Sequence, residues 1–590
     1  MRARNATRVR VALRRFLRND HVVLSVLALA VGLAAGFGAV AFRLAISGVQ
    51  WLGFGVSEER LITGLAGTPW WLVVVVPTAG GLVIGLFRHF VMGGARAEGV
   101  PHVIEAAALN GGRMSLRTGL ASAVVHAVSL GAGASTGREG PVVHLGATLA
   151  GWIVRKLHLS RSLARTLIGC GVASAVAASF NAPIAGVFFA LEVVIGHHAT
   201  KALAPIVVAA VAGTVIGRIY FGAAPAFDML GHLIISLWEF PAFAILGLVC
   251  AVAAIAFMAS TFLAEDVIAR IRWPEWTKPA CGGVLVGAIA VFYPQVLGVG
   301  YEATDAALRA EYGLILLLVL VAAKGFATAI SLGAGFGGGV FSPSLFLGAM
   351  VGGAYGVIAG TAFPEMYSGV SAYAVIGMGA VAGAVLGAPM STILIIFELT
   401  GDYQITIAVM IATAIATLVV QQVYGRSFFH RQLERRGIEL GGGHDLGLLR
   451  SLQVGDVMSP RFDAVRGDCA MGELRHRLEH APYGELFVLD EAGRLLGVLT
   501  YADLHRAVAE LDDAAAANAL DVARRNPPVL VADDDLARAL EVMQSEHEEH
   551  VPVVADRDSL IVVGFLHERD AVHAYNRALL QARQEEQGLR

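Results

Sequence analysis

Two distant stretches of this chain are copies of one another. Ser129 to Ala147 reads SLGAGASTGREGPVVHLGA, Ser331 to Ala349 reads SLGAGFGGGVFSPSLFLGA, and the two align without a gap at an offset of 202 (331 − 129). Ser129, Leu130, Gly131, Ala132, Gly133, Gly137, Pro141, Leu145, Gly146 and Ala147 meet the same residue type in the second copy. A second pair supports the duplication: within Ser179–Gly196 and Leu386–Thr400, Ala182, Pro183 and Glu192 meet Ala388, Pro389 and Glu398 at an offset of 206 (389 − 183). Two matched pairs at nearly one spacing describe a duplicated fold, not a chance coincidence of glycines.

The copied segments carry local instructions. Gly137 and Gly140 permit tight or left-handed backbone, and Pro141 suits the first turn of a helix, where its missing N–H costs nothing. The spacing therefore predicts a helix that starts inside an apolar region, presenting free N–H groups and a positive dipole end that attracts anions. Glu139 is the one acid in the first copy, and Phe341 takes its place in the second. An ionisable residue at membrane depth is expensive and marks an ion or proton path. Half-helix starts in corresponding positions of two repeats point to a transport site at the repeat interface.

Composition places this duplication in a membrane. The chain has 590 residues, 56% hydrophobic and only 15% charged, too apolar for a soluble multidomain protein. The excess sits in the first 425 residues, with apolar spans near Trp70–Phe90, Leu116–Leu130, Ala164–Ala178, Ala202–Phe221, His232–Ala264, Cys281–Leu297, Leu314–Ile330, Met350–Thr361, Ala372–Leu386 and Ile405–Val423, after a first one near His21–Gln50. Several are short or broken by glycine, which is tolerated where a helix is buried in protein or lines a cavity. Arg2, Arg4, Arg8, Arg10, Arg14, Arg15 and Arg18 precede the first span and predict a cytoplasmic N-terminus. A net charge of −3 argues against nucleic acid as a partner. Cys170, Cys250, Cys281 and Cys469 form no metal-ligand or disulfide pattern, and no metal site is expected. No cleavable signal is read.

GREGP at Gly137–Pro141, GGVFSP at Gly338–Pro343 and AEGVP at Ala97–Pro101 resemble, in order and spacing, the anion-selective segments of the CLC family of chloride channels and proton-coupled chloride exchangers. The resemblance runs from roughly residue 20 to 440. It implies an all-α polytopic membrane domain with an inverted internal repeat, in which half-helix N-termini converge on a dehydrated chloride. Those ends would be Glu98, Gly99 and Val100, then Gly137, Arg138 and Gly140, then Val340 and Phe341. Glu139 matches the glutamate that competes with chloride and withdraws when protonated. Three positions depart from the family pattern. Glu98 stands where a small hydroxyl residue usually faces the central anion, so it must be protonated, turned away, paired with a cation such as Arg96, or part of an altered selectivity; a plain helix-capping acid is the other reading. Phe429 stands where a tyrosine hydroxyl is expected, Tyr424 requiring a shift of five residues. Val193 replaces the glutamate that passes protons to the cytoplasm in the exchangers, as it does in animal channels of the family. Glu192 and Glu398 resemble structural acids near helix ends. The GxGxxG at Gly333–Gly338 lacks the setting of a dinucleotide site.

After residue 440 the composition turns soluble. Pro460, Gly497 and Asp503 recur as Pro527, Gly564 and Asp570, each displaced by 67 (527 − 460). Each unit shows a β-rich run followed by a glycine-led strand and helix, and the pair resembles a tandem CBS module of α/β construction. An adenine nucleotide there would use Thr500, Asp503 and Asp570, although His567 replaces the usual hydroxyl. The histidines of His547–His550 read as solvated. The predicted organisation is a basic terminus over 1–20, a membrane domain over 21–440 with halves at roughly 21–200 and 201–425, a linker over 441–453, CBS units over 454–510 and 520–575, and a charged tail over 576–590.

The reading is a homodimeric, multi-pass chloride channel of a bacterial inner membrane, with cytoplasmic CBS domains, gated by protonation of Glu139 and requiring no cofactor beyond chloride itself as ligand. A chloride/proton antiporter with another internal proton path is the first alternative, and a nucleotide sensor with a vestigial pore the second. No nucleophile–base pair, phosphate loop or metal cluster points to an enzyme.

Overall fold

The computed structural model describes residues 20–56, 61–65, 67–109, 111–157, 159, 161–196, 200–223, 234–438, 449, 452–481, 484–510, 517–546 and 548–587. They fall in two compact units, Met1–Glu439 and Leu440–Arg590. The N-terminal arginines, Gly441–Gly443 and His547 lie outside the described residues.

The first unit is built of helices, eight of which, among the described residues, are long and apolar enough to cross a membrane. Its first half runs α1 (Asp20–Phe54), α2 (Trp70–Val91), α3 (Val100–Ala108), α4 (Leu116–Gly131), α5 (Glu139–Leu157), α6 (Arg161–Phe180), α7 (Pro183–Phe189, continued by a π-helical turn Ala190–Ile195) and α8 (Thr200–Phe221). Its second half runs α9 (Phe240–Arg270), α10 (Lys278–Phe292), α11 (Tyr301–Leu308), α12 (Leu314–Ala334), α13 (Phe341–Ala362), α14 (Val370–Leu386), α15 (Pro389–Thr400) and α16 (Tyr403–Val423), and α17 (Phe428–Arg435) follows. Exposed apolar side chains such as Val252 and Ile315 suit lipid, and exposed Trp70 and Trp238 stand at or near helix starts, as interfacial anchors do.

Hydrogen bonds make the internal two-fold visible. The Gly137 N–H donates to the Gly339 carbonyl at 2.7 Å and the Gly339 N–H donates to the Gly137 carbonyl at 2.8 Å. Residue 339 is the copy of residue 137 (339 − 137 = 202), and the bridge is antiparallel, so the copies run in opposite senses where they meet. A second reciprocal pair lies at α7 and α15. Glu192 accepts from the Met390 N–H at 3.1 Å and the Ser391 N–H at 2.8 Å, while Glu398 accepts from the Ile184 N–H at 3.0 Å and the Ala185 N–H at 2.8 Å. Each glutamate thereby satisfies first-turn donors that a helix cannot satisfy itself. Packing repeats as well: a Cβ on Gly146 would meet the Gly171 carbonyl at 2.4 Å, and one on its copy Gly348 would meet the Gly377 carbonyl at 2.3 Å. Helices cross this closely in a membrane only where small residues let backbones touch.

Helix starts differ from the spans expected from hydropathy. The predicted span near Met350 begins at Phe341, and Glu139–Leu157 is a full helix although hydropathy predicts no span there. Glycine and serine dilute hydropathy at both starts, and Arg138 and Glu139 add charge at the first, yet proline in the first turn and tertiary burial hold the helices. The long helix expected from His232 begins at Phe240, and His232 itself is outside the described residues. Gly137 and Gly140 do not adopt positive φ; the glycines of the two segments that do are Gly133 (φ +90°) and Gly335 (φ +94°), just past the ends of α4 and α12, and Gly338 (φ +153°). Position 137 requires glycine for space, because a Cβ there would lie 3.0 Å from both Glu139 Oε2 and the Ser342 nitrogen.

The second unit comprises α18 (Val454–Val457), β1 (Ala464–Arg466), α19 (Met471–His480), β2 (Glu485–Leu489), β3 (Leu495–Thr500), α20 (Tyr501–Glu510), α21 (Ala519–Val522), β4 (Arg524–Arg525), β5 (Leu530–Val531), α22 (Leu536–Glu546), β6 (His550–Val554), β7 (Val562–His567) and α23 (Glu568–Gln587). One sheet has the order β1-β2-β3-β4 and the other β5-β6-β7; in each, a parallel pair precedes an antiparallel one. The halves exchange their leading helices. Val454 of α18 is buried among Leu530, Leu536, Val551 and Leu566 of the second half, and Ala519 and Val522 of α21 are buried among Leu474, Leu486, Val488 and Leu499 of the first.

Candidate functional site

The half-helix starts converge on one cavity of about 500 Å³. Glu98, Gly99 and Val100 reach it from the start of α3, Glu139 and Gly140 from α5, and Val340 and Phe341 from α13. Phe428 and Phe429 close it from α17. The ring of Phe341 packs against Phe180 and Phe189 at centroid distances of 5.1 and 6.1 Å, giving one wall an apolar surface. Of the residues expected at the site, Gly137, Arg138 and Val193 do not line the cavity. The Gly137 N–H is committed to Gly339, and the Arg138 guanidinium lies over the Tyr301 ring at 4.7 Å. Val193 is buried in the π-helical turn, an apolar side chain with no capacity to hold a proton.

Glu139 is buried and held by two hydroxyls. Tyr301, at the start of α11, donates to Oε1 at 2.5 Å, and Ser342, in the first turn of α13, donates to Oε2. Arg138 Nε lies 3.8 Å from Oε1. A carboxylate receiving charge-assisted hydrogen bonds on both oxygens is fixed in place, and it folds back over Gly137, where only hydrogen fits. The loop that carries Tyr301 is held from below by the buried Lys324, whose ammonium donates to the carbonyls of Val296 at 3.0 Å and Gly298 at 2.8 Å.

Of the readings open for Glu98, pairing with Arg96 and capping of α3 are not what the structure shows. Arg96 pairs with Glu265 at 3.7 Å, whereas the Glu98 carboxylate meets His144 Nε2 of α5 at 3.1 Å. The carboxylate does not cap α3; its own N–H donates to Ser122 Oγ at 3.0 Å, and the next N–H, of Gly99, donates to His102 Nδ1 at 3.2 Å. His126 Nε2 donates to the Glu98 carbonyl at 2.8 Å. The first half-helix therefore presents side-chain-capped donors, and of its three expected anion donors only Val100 has an N–H with neither of these partners.

Phe429 is buried and edge-on to Phe428, so the wall from α17 offers rings and no hydroxyl. Sequence reasoning missed Tyr301, Ser342, His102, His126 and His144. Ser342 stands inside the GGVFSP motif and His144 inside the first copied segment, where a polar residue in an apolar run is a usable signal. Tyr301 lies 162 positions from its partner and has no sequence signature.

In the second unit, Thr500 and Asp503 bond to one another: the Thr500 N–H and hydroxyl donate to Asp503 Oδ2 at 3.0 and 2.7 Å. Arg524 Nε lies 3.8 Å from the same carboxylate and forms a two-pronged pair with Glu548. Asp570 is half-buried at the start of α23. His567, in the place of Thr500, accepts from the Arg569 N–H at 3.1 Å, and burial together with His550 holds its imidazole below the usual value.

Fold and cavity together define a multi-pass membrane protein built as an inverted repeat around a cavity where half-helix starts meet. The chain belongs to the voltage gated chloride channel family, whose profile matches residues 80–421, and CBS domain profiles match 454–510 and 519–577. A chloride channel protein of the ClcB-like kind from Ralstonia nicotianae is 34% identical over 409 residues, 69% of this chain and 95% of that one. The H(+)/Cl(−) exchange transporter ClcA of Cronobacter sakazakii is 28% identical over 448 residues, 72% of this chain and 92% of that one. Among solved structures, a slow cyanobacterial Cl−/H+ antiporter shares 23% identity with a TM-score of 0.63, covering 70% of this chain and 97% of the other. A eukaryotic CLC transporter shares 20% identity with a TM-score of 0.62, covering 93% and 97%. These two likenesses are of fold.

Proposed function

We propose that this protein is a chloride channel gated by protonation of Glu139. The observation that carries the reading is the position of that carboxylate: it lines the cavity at the start of α5, beside Val340 and Phe341 at the start of α13, where the two repeats are stitched together. Ionised, Glu139 supplies the negative charge that helix N-termini favour and excludes a mobile anion. Protonated, it loses its attraction to Arg138 and to the helix ends, leaves, and admits chloride. Val193 favours passive conduction, because no proton can be relayed through it. Two copies forming a homodimer in a bacterial inner membrane, with the N-terminus and CBS domains cytoplasmic and an adenine nucleotide held near Thr500, Asp503 and Asp570, complete the proposal. Chloride and proton flux from liposomes tests it. At saturating chloride the native chain passes the anion faster as pH falls, and Glu139→Gln passes it at a pH-independent rate; pH-dependent flux retained in Glu139→Gln at saturating chloride refutes the gate.

A chloride/proton antiporter is the second reading, favoured by the ionisable groups Glu98 and His144 at the cavity. Sustained uphill proton movement driven by a chloride gradient alone selects it over the channel.

A further inference from the structure

We infer that Glu98 and His144 form a second proton site, which must take up one proton for each anion the cavity accepts. The inference deepens the reading of the cavity as an anion pathway and rests on it. The Glu98 side chain lines the cavity and is 29% exposed, whereas its partner His144 is 1% exposed, with Nε2 3.1 Å from the carboxylate. With no added proton the pair is a carboxylate and a neutral imidazole, a net charge of −1 on the wall of an anion cavity. With one proton, on either partner, the pair is neutral. Within one small cavity a like charge on the wall repels the anion far more strongly than it would in water. Anion entry and proton uptake are therefore linked: one proton leaves solution and joins the pair, one anion joins the cavity, and the net charge of pair plus anion stays at −1.

The surroundings leave this pair as the place for the proton. On α3, which follows Glu98, His102 uses Nδ1 to accept from the Gly99 N–H, which fixes that nitrogen as unprotonated. From α4, His126 donates through Nε2 to a carbonyl, and its Nδ1 is buried with no hydrogen-bond partner, facing the close backbone of Gly337. At the end of α17, Arg435 pairs with Asp266 of α9, and Arg436, just beyond it, pairs with Glu105 at 3.0 Å. Arg96 pairs with Glu265 of α9 at 3.7 Å, so the guanidiniums at the cavity each have a carboxylate other than Glu98. The π-helical turn brings Glu192, which is spent on capping α15, and α6 brings Cys170, buried and apolar in its setting. Glu139, five positions before His144 on α5, is a further carboxyl group of the cavity, about 7.5 Å away along the helix axis. It must be removed to see the pair by itself.

The test is chloride titration of the purified full-length protein by calorimetry, in buffers of different ionisation enthalpy, so that protons taken up per chloride are counted. In Glu139→Gln, one proton still enters per chloride, and chloride affinity falls about tenfold per pH unit as pH rises through the titration of the pair. Adding Glu98→Gln, close in size to the native side chain, abolishes both the uptake and the slope while chloride binding persists. Glu139→Gln with His144→Gln is the second route, and it shifts the pH range in which uptake occurs. Chloride binding by Glu139→Gln without proton uptake overturns the second site and leaves the anion pathway standing. Absence of any chloride heat in the native chain and all variants overturns both.

Discussion

At the scale of single residues, the site is a contest over one carboxylate. Tyr301 and Ser342 each donate to Glu139, so each stabilises the seated, ionised gate and neither acts on a gate that has left. Removing one hydrogen bond to a charged group costs about 1.5–3 kcal/mol, and roughly 1.4 kcal/mol is tenfold in an equilibrium. Tyr301→Phe and Ser342→Ala are therefore expected to raise chloride efflux at neutral pH by about tenfold or more. Neither adds anything in a Glu139→Gln background, where no ionised gate remains to hold. Efflux from chloride-loaded liposomes measures both; an equal gain in the Glu139→Gln background places the effect outside the gate. The acid itself was legible in the sequence, because a lone glutamate among glycines at membrane depth is too costly to keep without a task. Its restraints were not, since Tyr301 comes from a short helix in the other repeat and reaches Glu139 only through the fold. Glu98 shows the opposite failure. Its departure from the family pattern was plain and left several readings open, Arg96 being one candidate partner, whereas the chain delivers His144 because α3 packs against α5.

At the scale of elements, the duplication read from sequence becomes a set of reciprocal contacts, each made twice. The clearest is the exchange of caps at α7 and α15, where an acid near the end of each short helix binds the first turn of the other. A cap lost from a helix costs about 0.5–2 kcal/mol, more where the orphaned N–H groups have no water to turn to. Glu192→Ala and Glu398→Ala are expected to lower the thermal unfolding midpoint in detergent by similar amounts, with chloride selectivity retained, because neither residue lines the cavity. A loss in only one variant argues that the two contacts are not equivalent. Offsets of 202 and 206 made this pairing of halves foreseeable, but not its partners: a sequence repeat says which residues correspond, and only the inverted packing says that they touch. Helix starts at Glu139 and Phe341 were legible from the glycine and proline pattern but not from hydropathy. Hydropathy averages over a window, and the polar, glycine-rich turns that make a half-helix useful to an ion also make it look like a loop.

At the scale of the whole molecule, the second unit is as intertwined as the first is duplicated, and this fixes how it unfolds. The sequence repeat of 67 places two similar modules side by side, which by itself predicts two domains that melt independently. The exchange of α18 and α21 changes that expectation. Val454 belongs to the first module by sequence and to the core of the second by packing, and Ala519 and Val522 stand the other way round. The leading Ser459 is also bridged to Phe565 of β7, with N–H···O bonds of 2.8 and 3.0 Å in each direction. Neither core is complete without chain from the other, so residues 440–590 made alone should unfold in one cooperative denaturant transition with coincident probes. Val454→Ala removes two buried methyl groups and is expected to destabilise that single transition by about 1.5–2 kcal/mol. Hydrogen exchange should then quicken in β2 and β3 as much as in β6 and β7, although the substitution touches only the latter core. Two separable transitions, or quickened exchange confined to β6 and β7, would mean that the modules exchange helices without sharing stability.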